Sequence, residues 1–298
     1  MELHWDDLRI FMAVARHESL SAAGKALRID PATVGRRIGR LEENVGAVLF
    51  AKSPQGYALT DEGQALRTRA GDAEQVIHEA VESVRGQTTQ LTGTIRIGAP
   101  DGAANYLLPQ VCAQICEDHP GLEVQIVALP RVINLSRREA DMAIAVSQPV
   151  TGRLTVQKIA DYRLHLAASK TYLKKTSPLE TVNDLKNHKI IGYIPDMIFD
   201  KELDYLTESG IDRVDLASNS VSVQINWARQ GAGVTIAHDF SLPSAPELVK
   251  VLADQVSLLR SFYLVRHASD RRVARLNRFA EALSHGLRKE VARLEALT

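Results

Sequence analysis

Apolar residues in the first sixty positions recur at helical spacing. Trp5, Leu8, Phe11, Met12 and Ala15 fall three or four apart, which predicts an amphipathic helix buried through those side chains. A second, short helix is predicted over residues 21 to 27, buried through Ala22, Ala23, Ala26 and Leu27. The break Arg28-Ile29-Asp30 follows. Asp30 is a good N-cap and Pro31 suits a first helical position, so a third helix starts there and runs to Val45, where Gly46 stops it. Its apolar face is Val34, Ile38, Leu41 and Val45; its other face carries Thr33, Gly35, Arg36, Arg37 and Arg40. Two short runs, Val48 to Lys52 and Tyr57 to Leu59, flank Ser53-Pro54-Gln55-Gly56, a turn sequence, and predict a hairpin.

Thr60 reads as the N-cap of a long helix to about Thr88, with Asp61 and Glu62 favourably placed in its first turn. Leu66, Ala70, Ala73, Ile77, Ala80 and Val84 alternate four and three apart along it. That seam predicts pairing with a second copy of the helix. Packing against its own domain is the alternative. Beyond the polar junction Gln87-Thr88-Thr89-Gln90 the rhythm becomes strand and helix. Strands are predicted at 94–98, 122–126, 142–145, 164–167, 190–194, 234–237 and 262–265. Helices are predicted at 104–118, 131–138, 220–230 and from Arg271 to about Ala296. This alternation implies an α/β sheet.

Composition adds boundaries. A chain of 298 residues, 45% hydrophobic and 24% charged, has the length for two domains. No apolar run reaches the roughly 18 residues of a membrane helix, and the first residues lack a signal-peptide pattern, so the expected location is the cytoplasm. Net charge is zero, yet Lys25, Arg28, Arg36, Arg37 and Arg40 face a single acid, Asp30, between positions 25 and 40. Positive charge is therefore focused on the third helix.

Two helices joined by a three-residue turn, with arginines on the outer face of the second, match a helix-turn-helix. A major groove admits one helix, and arginine pairs with guanine or neutralises phosphate. Small residues near the helix start let the backbone approach the bases. The candidate DNA contacts are Ser21, Ala32, Thr33, Gly35, Arg36, Arg37 and Arg40, with Lys52 and Gln55 on the hairpin wing. The stretch Ser21-Ala22-Ala23, Leu27, Pro31 to Glu42, Val48-Leu49-Phe50 and Leu59 to Gly63 resembles the DNA-binding signature of LysR-type transcriptional regulators. It departs where that family usually carries Ser-Gln, here Asp30-Pro31, and Ser, here Gly35. The operator sequence therefore does not carry over.

Gly93 to Gly98, Arg137 to Ile144, Asp184-Leu185 with His188, and Gly231 to Val234 resemble, in order, the effector domain of the same family. The resemblance implies the whole architecture: an all-α winged helix-turn-helix over 1–60, a linker and dimerisation helix over 61–90, and an α/β effector domain over 91–298. That domain would comprise two Rossmann-like subdomains of the periplasmic binding protein type II kind, about 91–161 with 267–298, and about 162–266. The implied partners are a near-palindromic double-stranded operator, a small-molecule effector, a second copy in a dimer or tetramer, and RNA polymerase. Strand ends and helix starts facing the cleft select Pro100, Asp101, Gly102, Val146, Ser147, Gln148, Pro195, Asp196, Ala237 and His238 as effector candidates. A carboxylate at Asp101 competes with an anionic ligand, which points to a neutral or cationic effector; capping its own helix is the alternative role.

Cys112, Cys116 and His119 share one helical face, a pattern that admits metal binding or thiol chemistry but favours plain core filling. Gly231-Ala232-Gly233 lacks the further glycine of a dinucleotide fingerprint. No catalytic motif is found, and no cofactor or metal is expected. An enzyme with an accessory DNA-binding head and an architectural DNA binder whose α/β part only oligomerises stand as alternatives to a ligand-responsive regulator.

Overall fold

The computed structural model describes residues 4–53, 56–85, 90–128, 140–149 and 153–298. They form two compact units, residues 1–88 and 89–298.

In the first unit, α1 (Trp5–His17), α2 (Leu20–Leu27) and α3 (Pro31–Val45) precede a hairpin of β1 (Phe50–Ser53) and β2 (Gly56–Leu59), then α4 (Asp61–Arg85). The core joins Ile10, Phe11 and Val14 of α1 to Val34, Ile38 and Leu41 of α3 and to Leu49 and Phe50. Asp30 caps α3 as expected, its carboxylate accepting from the Ala32 and Thr33 amides. The Thr60 hydroxyl accepts from Gly63 N–H at 3.0 Å and donates to the Val48 carbonyl at 2.7 Å, so one side chain starts α4 and ties it to the hairpin.

Several expected core positions are not core. Ala22 and Ala26 are exposed; Ala23 and Gly24 are buried instead, with Leu20 and Leu27 half-buried. The cause is the α2–α3 turn, which folds across Gly24: a Cβ there would lie 2.6 Å from the Ile29 carbonyl oxygen. The backbone contact, not the apolar spacing, sets the phase of α2. Trp5 and Val45 are 40% and 39% exposed because they lie at the outer ends of their helices.

The second unit is built on a nine-stranded mixed sheet, counted among the described residues. Its elements are β3 (Thr92–Ala99), α5 (Asp101–Tyr106), α6 (Leu108–Asp118), β4 (Gly121–Ala128), β5 (Met142–Ala145), β6 (Leu154–Ser169), α7 (Lys170–Leu173), β7 (Ile190–Gly192), α8 (Tyr205–Glu208), β8 (Leu216–Ala217), α9 (Val221–Arg229), β9 (Val234–His238), β10 (Leu248–Lys250), β11 (Ser257–His267) and α10 (Ala274–Glu295). Strand order is β4-β3-β5-β11-β6-β9-β7-β8, with β10 also on β6. β3, β4 and β5 are parallel to one another and form one lobe; β7, β8 and β9 are parallel and form the other.

The lobes share one sheet. β6 and β11 pair antiparallel along residues 154–165 and 257–267, with a bulge where Phe262 faces Ala160 and Tyr263 faces Lys158. A bulge bends a strand, and this one lies where the lobes meet. The helix expected over 104–118 is two helices, α5 and α6, separated at Leu107 (φ −123°, ψ −52°). Pro109 explains the break: without an N–H it is tolerated in a first turn and not in a helix interior. The strand expected over 190–194 stops at Gly192. The helix expected over 131–138 lies outside the described residues.

Candidate functional site

Helix α3 carries three arginines with different partners. The Asp7 carboxylate is 1% exposed at the start of α1. Arg40 forks onto it, Nε donating to Oδ2 at 3.0 Å and one terminal nitrogen reaching both oxygens at 2.6 Å. Arg37 pairs closely with Asp6 and stands 3.5 Å from Asp7. Desolvation pushes the Asp6 carboxyl up, but Arg9 and Arg37 outweigh it, and the net direction is down. Arg36 is exposed, with no ion-pair or hydrogen-bond partner among the described residues. Ser21 and Ala32 are exposed beside it, and Thr33 and Gly35 half-buried. Gly35 is small for a reason inside the fold: a Cβ would approach Leu20 Cδ1 to 3.2 Å. On the wing, Lys52 stands opposite Tyr57 in the β1–β2 register, and Gln55 lies outside the described residues.

The α4 seam divides. Ala70 is 4% exposed and joins the core of its own unit, with Leu66 packed against it. Ala73 is half-buried and Ile77 is 43% exposed. The side chains of Ala80 and Val84 lie outside the described set. The first turns of the seam thus pack against their own unit, while Ile77 does not.

In the second unit, Pro100 precedes α5 and Asp101 is its first residue. The Asp101 carboxylate crosses to the other lobe. Its Oδ2 accepts from Ser220 Oγ at 3.2 Å, from Ser222 N–H at 3.1 Å and from Ser222 Oγ at 3.5 Å. It therefore sits on the positive N-terminal end of α9, where a carboxylate is stabilised by unpaired amides and the helix dipole. A second bridge runs the other way: Ser147 donates a short hydrogen bond to Asp200 of the opposite lobe. Asp101 with Ser220 and Ser222, and Ser147 with Asp200, thus link the two lobes.

Gly102 lets α5 approach β9; a Cβ there would lie 3.2 Å from the His238 ring. His238 is 4% exposed. Its Nε2 is 3.4 Å from the Tyr205 hydroxyl, and its Nδ1 has no partner among the described residues. Burial pushes its pKa down to about 4, against a small opposing effect of Asp239. The ring is therefore neutral at physiological pH. Tyr162, stacked on Phe262 with ring centroids 4.1 Å apart, completes this aromatic group.

Lobe two carries a cavity of about 410 Å³, partly open to solvent; its lining includes Tyr193, Asp200, Tyr205 and Gln224. Of the sequence candidates only Pro195 lines it. Asp196 is exposed on the turn beside it, Val146 and Ala237 are buried, and Gln148 is exposed. Sequence reading missed Ser220 and Ser222, although Ser-Val-Ser before a helical run is an N-cap signal. Asp200, Tyr193 and Gln224 carry no local signal of a site.

Of the cysteines on α6, Cys112 is buried in the core and Cys116 half-buried. Burial, and then neighbouring Cys116, pushes the Cys112 thiol up to about 12, away from the reactive thiolate. His119 serves the fold, its Nδ1 lying 3.4 Å from the Leu91 amide nitrogen.

With these features in place, the comparisons with known proteins decide the family. Residues 88–288 match the LysR substrate binding domain, and residues 5–64 match the bacterial regulatory helix-turn-helix protein, lysR family. The chain belongs to the LysR family. Among characterised relatives it is similar to the HTH-type transcriptional regulator PtxR of Pseudomonas aeruginosa, 25% identical over 98% of this chain and 96% of PtxR. It is also similar to the glycine cleavage system transcriptional activator of Escherichia coli K12, 26% identical over 92% of this chain and 90% of that protein. Its fold resembles a mutant of OxyR from Corynebacterium glutamicum (TM-score 0.68, 19% identity, 99% and 96% of the two chains). It likewise resembles CrgA from Neisseria meningitidis (TM-score 0.59, 22% identity, 96% and 99%). These relatives are transcriptional regulators rather than enzymes. LysR regulators bind DNA through the helix-turn-helix and a small molecule through the substrate-binding domain, the two units described above.

Proposed function

We propose that this LysR-family chain is a sequence-specific, effector-controlled transcriptional regulator whose α3 enters the major groove with Arg36 as its principal base reader. The observation that carries this is the division of the arginines. Arg36 stands free among the described residues beside the exposed Ala32, while Arg37 and Arg40 are spent on Asp6 and Asp7. In this reading the latter two orient α3 on α1, and Thr33, Ser21 and Lys52 add backbone contacts.

The protein acts in the cytoplasm as a dimer, and as a tetramer when it recruits RNA polymerase. Two recognition helices about one DNA turn apart require a near-palindromic site. Ile77, exposed on the α4 seam, is available for pairing. The effector acts at the cleft by competing with, or reinforcing, the Asp101 and Ser147–Asp200 bridges, which changes the lobe arrangement.

The test is binding of the purified full chain to fragmented genomic DNA at fixed physiological salt. Enrichment of one short near-palindromic sequence supports the proposal, and Arg36→Ala should weaken that enrichment and relax the sequence preference at one base pair. Weak, uniform binding to all fragments would overturn it in favour of an architectural DNA binder.

A further inference from the structure

Helix α10 crosses from lobe one, which holds β3, to lobe two. At its start Arg275 donates to the Thr92 and Thr94 carbonyls of β3 at 3.1 and 3.0 Å. In its middle it seats on α6 of the same lobe: a Cβ on Gly286 would lie 2.6 Å from Val111 Cγ1. Its buried stripe, Leu276, Phe279, Leu283, Leu287, Val291 and Leu294, runs along a helix of 22 residues, roughly 33 Å.

The far end reaches lobe two. Glu295 Oε1 accepts from the Arg163 amide of β6 at 2.7 Å, one residue before β9 joins that strand at Leu164. Thr298 Oγ1 accepts from Lys250 Nζ of β10 at 3.0 Å, and the same ammonium donates to Asp239 at 2.8 Å. Asp239 is 2% exposed and is bonded in turn to His165 Nδ1 at 2.8 Å.

The two attachments differ in kind. On lobe one α10 is close-packed and buried. On lobe two the polar contacts are made by a half-buried Glu295 and an exposed Thr298, where water competes for them. Packing is also incomplete there. A cavity of about 430 Å³, open to solvent, is lined by Tyr106 and Pro109 of lobe one, Phe240 and Ser244 of lobe two, and Leu294 of α10. The end of α10 therefore has room to move and its middle does not. A helix fixed at both ends resists the bending of β6 and β11 that a change in lobe arrangement requires.

We infer that α10 is a releasable brace, anchored in lobe one, clipped to lobe two through Glu295 and Thr298, and unclipped when the lobes rearrange. The clip and the Asp101–Ser222 bond span the same two lobes, so loosening one loosens the other. The inference concerns the lobes alone and goes beyond DNA recognition.

The test is amide hydrogen exchange on the full chain, read at Arg163, Ser222 and Ile97. Glu295→Ala is expected to accelerate Arg163 by about tenfold and Ser222, whose acceptor Asp101 lies in the other lobe, by about threefold, with Ile97 in β3 unchanged. Glu295→Gln keeps an acceptor oxygen and should restore both sites to the wild-type rates. Thr298→Val, at an exposed position, removes the Lys250 acceptor, leaves the Glu295 contact and should still accelerate Ser222. Acceleration confined to Arg163 and its neighbours overturns the brace, since the contact is then local. Acceleration of Ile97 in step with Ser222 also overturns it, since the variants then loosen the whole unit rather than the junction of its lobes.

Discussion

Arg36, Arg37 and Arg40 occupy one helical face and have the same chemistry, yet the fold gives them different roles. Replacing Arg36 removes no contact within the described protein. Arg36→Ala should leave the melting temperature unchanged and cost about 1–3 kcal/mol of specific DNA binding, with specificity relaxed at one base pair. Replacing Arg40 leaves the buried Asp7 carboxylate without its fork. Arg40→Ala should lower the melting temperature of the first unit, and Asp7→Asn combined with it should recover part of the loss, measured as a double-mutant cycle. His238 supplies a pH dependence. Its pKa is depressed from 6.5 to about 4, so the unfolded chain binds the extra proton first. Its contribution is complete above about pH 6.5 and is lost as pH falls toward about 4. The loss is about 3 kcal/mol at most. Urea unfolding at neutral and mildly acidic pH checks this, and His238→Gln should flatten the slope; an unchanged slope would count against the buried neutral ring.

At the level of elements, two close approaches control the geometry. Gly24→Ala places a Cβ 2.6 Å from the Ile29 carbonyl oxygen and forces α2 away from the α3 turn. A cost of about 1–3 kcal/mol in denaturant unfolding is expected. Asp101 joins α5 to the first turn of α9. Asp101→Ala removes the acceptor of the Ser222 amide, and the loss of a cap of this kind is worth about 1 kcal/mol. Hydrogen exchange at the start of α9 should accelerate by about fivefold while exchange in β3 stays constant. Element type and order were legible from periodicity because each helix keeps an apolar stripe and each inner strand an apolar run. Phase was less legible. Ala22 and Ala26 followed the apolar spacing and are exposed, since a short alanine-rich helix offers several equivalent faces and backbone contacts choose among them; Trp5 and Val45 are exposed because they end their helices.

For the whole molecule, the seam on α4 makes a separable prediction. Ala70 lies in the core of its own unit and Ile77 does not. Ala70→Asp should therefore destabilise the first unit, whereas Ile77→Asp should leave it folded and shift sedimentation toward a smaller species. A monomer that still recognised the full near-palindromic site with unchanged affinity would contradict dimeric recognition. The continuous sheet matters at this scale too. Because β6 and β11 are shared by the two lobes, any change in lobe arrangement has to bend these strands, and the bulge at residues 158–160 is the irregularity in their pairing.

The sequence by itself determined what depends on neighbours along the chain: helix starts at Asp30 and Thr60, the hairpin, the α/β alternation, the focused positive charge and the family signature. Those signals are local because caps, turns and periodicities act over a few residues. Tertiary structure alone decided which arginines remain free, where the Asp101 carboxylate goes and what lines the cavity. Asp7 meets Arg40 across 33 positions, Ser147 meets Asp200 across 53 and Asp101 meets Ser222 across 121. No periodicity reaches that far; such partners are set by how strands and helices pack.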